Sequence, residues 1–285
     1  MTIKRVLVPL SSEVNLECAL SSGLLIAQEF NAHLDAVFYK FPLGGHLPFE
    51  SAEGLSGAVI DERINEQDDI ALQCRQHFES ALEQRKIDQL DAPLPASRPS
   101  AAWRVVDETP YFGVVQAGGG YDLIVIGRHK LNPQRTPREL LEPALFQSGR
   151  PVLVAPPNTP RSTGSVVLAA WNRSAQSARA VSAAAPFFEL AQKVIVFAVT
   201  TGAKRGPEAG EIGRYLDWHQ IRNEVVEIPP DHRPVGEAIL DEAKERGADL
   251  IVMGVYSHSR LRELLLGGVT KYILEHADLP VLMMR

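Results

Sequence analysis

Short continuous runs of Val, Ile and Leu recur along the chain and alternate with amphipathic stretches of helical length. Such runs read as strands covered on both faces by crossover helices. They predict strands at 4–10, 34–40, 102–107, 122–127 and 151–155, and a second set at 165–171, 193–200, 223–228, 249–254 and 280–284. Five strands and four helices in each set give an α/β chain of two tandem, doubly wound parallel sheets with helices on both faces. A ligand cleft is then expected at the carboxyl ends of the strands, where strand order reverses.

The two sets are copies. "YDLIVIGRH" at 121–129 repeats as "ADLIVMGVY" at 248–256, "RPVLVAP" at 150–156 as "LPVLMMR" at 279–285, and "VLVPLSSE" at 6–13 as "VLAAWNRS" at 167–174. Three landmarks in one order mark a duplicated domain. The offset between copies is 161 from Val6 to Val167 but 127 from Asp122 to Asp249, so the first copy carries 34 additional residues between them. They fall at about 41–90, where a Gly/Pro loop precedes a polar stretch with Ile60, Ile64, Ile70, Leu72 and Phe78 at helical spacing. A loop and a long exposed helix are predicted there. "PPNTPRSTGS" has the content of a linker, which divides the chain into domains at 1–157 and 164–285.

Composition narrows the partners. With 29 Lys and Arg against 35 Asp and Glu, the net charge is −6 over 285 residues, and no basic cluster is interleaved with aromatics; a phosphate backbone would be repelled, and nucleic acid is excluded. The two cysteines, Cys18 and Cys74, lie in helical stretches without metal-ligand spacing and read as buried, inert thiols. The start "MTIKRVLVPL" lacks the apolar region of a signal peptide, and no run reaches transmembrane length, so a cytoplasmic protein without membrane contact is expected.

Gly254 follows the strand "LIVM", and Gly267 and Gly268 precede the helical stretch "VTKYILEHA". A helix entrance has free N–H groups and the positive end of the dipole, so residues without side chains there let an anionic oxygen approach the backbone. The other reading is a tight turn between packed elements. In the first copy, Arg138 and Glu139 stand opposite the glycine pair, within "TPRE". Thr136 as N-cap, Pro137 at the first helical position and Glu139 as its partner predict a capping box. That would place a carboxylate where an anion would otherwise sit.

On these residues the chain resembles a tandem universal stress protein, two copies of the domain fused. Nucleotide-binding members follow strand four with Gly-x2-Gly-x9-Gly-Ser/Thr, and end strand one in an Asp that contacts the adenosine. The second copy has that spacing as Gly254, Ser257, Gly267 and Gly268, with Ser257 for the second glycine and Gly268 for the hydroxyl residue. Asn172 stands where the Asp is expected, and Ser11 in the first copy, whose glycine motif survives only at Gly127. Asn172 lacks two ionised acceptor oxygens, which weakens a ribose or adenine contact. The resemblance implies a Rossmann-like strand order 3-2-1-4-5 in each copy. It also implies a second-copy nucleotide site at Asn172, Val199, Gly254, Ser257, Gly267, Gly268, Val269 and Thr270. The implied ligand is ATP or AMP, with Mg²⁺ as a candidate companion and no other cofactor.

Other residues in this region have plain readings. His258 has no triad partner at a fixed spacing and reads as a loop imidazole. Arg260 and Arg262 flank the glycines as a γ-phosphate contact or a solvated loop, and Trp171 stacks on a base or packs under the loop. No GxxxxGK[ST], HExxH or GxSxG occurs. The leading expectation is a non-enzymatic stress-response protein whose two domains pair through their last strands, with homodimer formation open. The alternative is a slow ATP hydrolase or adenylyl-transfer enzyme in the same cleft, for which Asn172 removes the obvious carboxylate.

Overall fold

The computed structural model describes residues 2–41, 57–90, 98–129, 131–132, 136–160, 162–200, 206–229, 232–255 and 267–285. In chain order the first half contains β1 (Arg5–Leu10), α1 (Leu16–Phe30), β2 (His33–Lys40), α2 (Gly57–Arg85), β3 (Asp88–Gln89), β4 (Ser100–Asp107), α3 (Pro110–Gly118), β5 (Leu123–Ile126), α4 (Arg138–Gln147) and β6 (Val152–Val154). The second contains β7 (Val166–Ala170), α5 (Ala175–Ala183), α6 (Ala185–Leu190), β8 (Lys193–Val199), α7 (Ala209–Trp218), β9 (Asn223–Ile228), α8 (Val235–Glu245), β10 (Leu250–Gly254), α9 (Gly268–His276) and β11 (Val281–Met284). Each predicted strand falls on an observed one.

The expected pair of separate five-stranded sheets is corrected to one eleven-stranded sheet, ordered β3-β4-β2-β1-β5-β6-β11-β10-β7-β8-β9. Two features account for the difference. The short β3 adds a parallel edge, pairing Asp88 with Ser100. The two halves also join where β6 and β11 run antiparallel, Leu153 opposite Leu282. All other pairings between these strands are parallel. Burying both last strands in one sheet removes two apolar edges from solvent.

The added segment of the first half contains the expected long helix. Among the described residues α2 is the one helix between β2 and β4, so it is the crossover itself, lengthened to 29 residues where its counterpart α7 has 10. Its inward row is Ala71, Phe78 and Leu82, whereas Ile64 and Leu72 are exposed. Phe78 packs on Trp103 of β4 at a ring distance of 5.6 Å. In the second half the first crossover breaks at Ala184 into α5 and α6, with Pro186 in the first turn of α6, where its missing N–H costs nothing.

Contacts away from the sheet tie the halves together. Phe30 of α1 meets Phe187 of α6 edge to face at 5.0 Å, a geometry the ring quadrupoles favour. The terminal Arg285 lies over the Phe146 ring of α4 at 4.6 Å. Among the described residues of the first half one carboxylate is fully buried. Asp35 of β2 accepts from Arg5 Nη2 at 2.8 Å and pairs with Arg104 Nη2 at 3.2 Å. Neither cysteine is in a disulfide; Cys18 is buried, but Cys74 is only partly so, which corrects the expectation for that thiol. Among the described residues no helix is long and apolar enough to cross a membrane.

Candidate functional site

The carboxyl ends of β7, β8 and β10 and the start of α9 bring together the described members of the predicted site. β7 ends at Ala170, and the chain then turns through Trp171, Asn172 and Arg173 into α5. Asn172 is exposed, and its Oδ1 accepts from Ser174 N at 3.2 Å and Ser174 Oγ at 2.6 Å. Its acceptor oxygen is therefore engaged by the α5 cap, and its side-chain NH2 is the group left to meet a ligand. Ser174 closes a capping box with Ser177, so the α5 entrance satisfies its own amides.

Trp171 is buried and donates its indole N–H to Pro207 O at 2.9 Å. It packs under the neighbouring loop instead of offering its face to a base. Arg173 adopts a left-handed backbone at φ 63 and lies within 3.9 Å of Glu208. This seat for residues 206–208 was not anticipated; a left-handed Arg carries no sequence signature, because Gly and Asn are the usual occupants. Val199 ends β8 and is partly buried against the core.

The three glycines separate by cause. A Cβ on Gly254 would come to 2.3 Å from Ser177 N and 2.4 Å from the Gln176 carbonyl carbon. Gly254 is thus required by the close approach of α5, which is a packing role. Gly267 and Gly268 are exposed, and among the described residues nothing lies within 4 Å of where their Cβ atoms would stand. Gly267 has φ −53 as the N-cap of α9, and Gly268 is not among the glycines of positive φ. Neither conformational demand nor crowding explains this pair. Among the described residues the α9 entrance has no side-chain cap, which leaves its first amides open to an anion from outside.

The remaining members are arranged less favourably. Val269 is partly buried beside the core, and Thr270 is 4% exposed, so its hydroxyl faces inward and does not replace the missing one at Gly268. Ser257, His258, Arg260 and Arg262 lie outside the described residues.

At the matching place in the first half the predicted capping box is absent. Pro137 takes an extended conformation, φ −56 and ψ 119, and becomes the N-cap with no side-chain bond. The helix starts one residue later than predicted, and this displaces Thr136 and Glu139 from box positions. The Thr136 hydroxyl is buried without a partner among the described residues. Glu139 nevertheless guards that entrance. Burial pushes its carboxyl up, against a bond from its own backbone N–H, with the Glu13 charge raising it further and His129 lowering it. His129 in turn lies 3.5 Å from Glu13. One entrance therefore carries its own carboxylate, and among the described residues the other carries none.

Among the described residues no cluster of three or more His, Cys, Asp or Glu is placed to hold a metal ion. The α9 amides have the chemistry to accept an anion, whereas the acceptor oxygen of Asn172 is already engaged.

Comparison with known proteins places the second half first. Residues 165–285 match the model of the universal stress protein family. Among curated proteins, universal stress protein Slr1230 of Synechocystis is 26% identical over 59% of this chain and 59% of its own length. Universal stress protein MJ0577 of Methanocaldococcus jannaschii is 37% identical over 17% of this chain and 30% of its own. The chain thus spans less than two thirds of either relative. A solved universal stress protein from Archaeoglobus fulgidus has the same fold over 99% of this chain and 98% of its own, at 17% identity and a TM-score of 0.64. One from Pseudomonas aeruginosa covers 99% and 93%, at 17% identity and a TM-score of 0.56. Residues 165–285 are accordingly similar to the universal stress protein family, and the α/β fold of solved universal stress proteins extends over 99% of the chain.

Proposed function

We propose that the chain is a tandem universal stress protein, with domains at 1–157 and 164–285, that acts without catalysis in a stress response and binds an adenine nucleotide, ATP or AMP, in its second domain. The observation that carries this reading is the entrance of α9, where among the described residues nothing caps the first amides and nothing lies within 4 Å of a Cβ on Gly267 or Gly268. Phosphate oxygens would seat on those amides, favoured by the positive end of the helix. The side-chain NH2 of Asn172 would meet the ribose or base, and Gly254 and Val199 would form the floor. The adenine assignment rests on the resemblance of the Gly254, Ser257, Gly267 spacing to nucleotide-binding members. Mg²⁺ would accompany ATP through the phosphates, since the described side chains supply no ligand cluster.

The first domain has a structural part in this reading. Glu139 occupies its entrance, and a carboxylate within about 4 Å of a phosphate oxygen costs about 4 kcal/mol at an effective dielectric of 20. Calorimetry of the full chain with ATP, ADP and AMP tests the proposal. Saturable binding of one nucleotide per chain is expected, and Gly268→Glu, which copies the acidic side chain of the first half, should weaken it at least tenfold. Equal affinity in wild type and G268E would place the phosphate elsewhere.

A further inference from the structure

Arg128 is fully buried and faces no carboxylate at ion-pair distance among the described residues. Its guanidinium donates instead to three backbone carbonyls. Nε reaches Ala155 O at 2.7 Å in its own half, while Nη1 bonds Leu274 O and Nη2 reaches Ala277 O at 3.1 Å in the other half. Those two carbonyls are at the end of α9, where a helix has acceptors without internal partners and where a cation opposes the negative end of the dipole. A desolvated guanidinium is costly unless its donors are satisfied, and this one is satisfied by tying the two halves together.

The duplication shows that the tie is one-way. Arg128 in "IGRH" aligns with Val255 in "MGVY", and Ala277 in "HADLP" aligns with Ser148 in "QSGRP". In the first half Ser148 Oγ donates to Ala144 O and so closes the end of α4 locally. In the second half the hydroxyl is missing, and Arg128 from the first half serves the end of α9. The backbone of Arg128 is itself anchored in the first-half cleft: its O accepts from Asn15 N at 2.8 Å and its N donates to Cys18 Sγ at 3.3 Å. A continuous path thus runs from the first-half cleft, through Arg128, to the far end of the helix whose near end is Gly267–Gly268.

We propose that Arg128 is a coupling residue, through which the first half holds α9 and sets the position of its open entrance. Its meaning for nucleotide binding rests on the function proposed above, but the coupling itself needs no ligand. Two amides bracket the helix: Lys271 N bonds Gly267 O at 2.9 Å near the entrance, and Ala277 N bonds Ile273 O at 2.9 Å at the far end. Hydrogen exchange of the full-length Arg128→Met chain, without ligand, should accelerate at both amides by tenfold or more relative to β8 and β9. Arg128→Lys, which keeps the charge but not the fork, should give a smaller acceleration at the same two amides, and it decides the matter if R128M does not fold. Acceleration at Ala277 alone, no change at either amide, or a uniform rise across the whole sheet would overturn the coupling. A titration with ATP forms a second arm, in which R128K should bind at least threefold more weakly than wild type. If wild type binds no ATP the functional proposal fails, and the exchange pattern still decides the role of Arg128.

Discussion

Gly254 and Gly268 stand at the same cleft for opposite physical reasons. At Gly254 a methyl group would collide with the backbone of Gln176 and Ser177, and neither strand nor helix can yield without disturbing the core. At Gly268 a methyl group would meet nothing among the described residues. Gly254→Ala should therefore destabilise the chain by about 2 kcal/mol or more. Gly268→Ala should leave stability unchanged or raise it by up to about 1 kcal/mol, through the lower entropy of the unfolded chain, while weakening nucleotide binding. Urea denaturation of both variants checks this. A loss of stability in G268A comparable to that in G254A would make Gly268 a packing residue. The spacing of the glycines was legible in the sequence, but this difference between them was not, because it depends on which backbone passes within van der Waals distance.

At the scale of elements, the strands were the most legible part. Runs such as "LIVI" and "LIVM" have no polar side to confuse the reading, and they are buried on both faces. The helices were less so. Of the apolar positions read at helical spacing in α2, Phe78 is buried, together with Ala71 and Leu82, while Ile64 and Leu72 are exposed, since a long helix meets the sheet along one part of its length and its outer turns follow no core. The start of α4 was misjudged at Pro137. Proline suits either the first helical position or the extended residue before it, and only the backbone angles separate the two. The acidic character of that entrance was nevertheless visible in Glu139. The role of Arg128 had a signal that went unused: a charged residue aligned with Val255 directly after a fully buried strand.

The whole molecule is built on one eleven-stranded sheet to which both halves contribute, and charges of the two halves influence one another across it. Glu29, an exposed residue near the end of α1, has its carboxyl pushed up to about 7, by partial desolvation first and by the charge of Asp249 second. Asp249 belongs to the other half, where it accepts from Val166 N at 2.8 Å and Ser162 Oγ at 2.5 Å and so fixes the start of β7. A carboxyl that holds its proton more tightly when folded stabilises the fold at low pH and loses that contribution as pH rises from the unfolded value of about 4.5 through about 7. Glu29→Gln should then match wild type in thermal stability at pH 4 and exceed it at pH 8. A constant difference between the two across that range would mean that the Glu29 charge is not felt between the halves. Together, β6 on β11 and Phe30 on Phe187 join the two halves, which carry two unlike clefts. The claim on which that asymmetry depends is that the second cleft receives an anion at bare amides and the first does not. Amide chemical shifts followed while ATP is added to the full chain test it most directly. Shifts concentrated at Gly268 and Val269, with Arg138 and Glu139 unmoved, are the predicted result; equal shifts at both entrances, or none at Gly268, would contradict it.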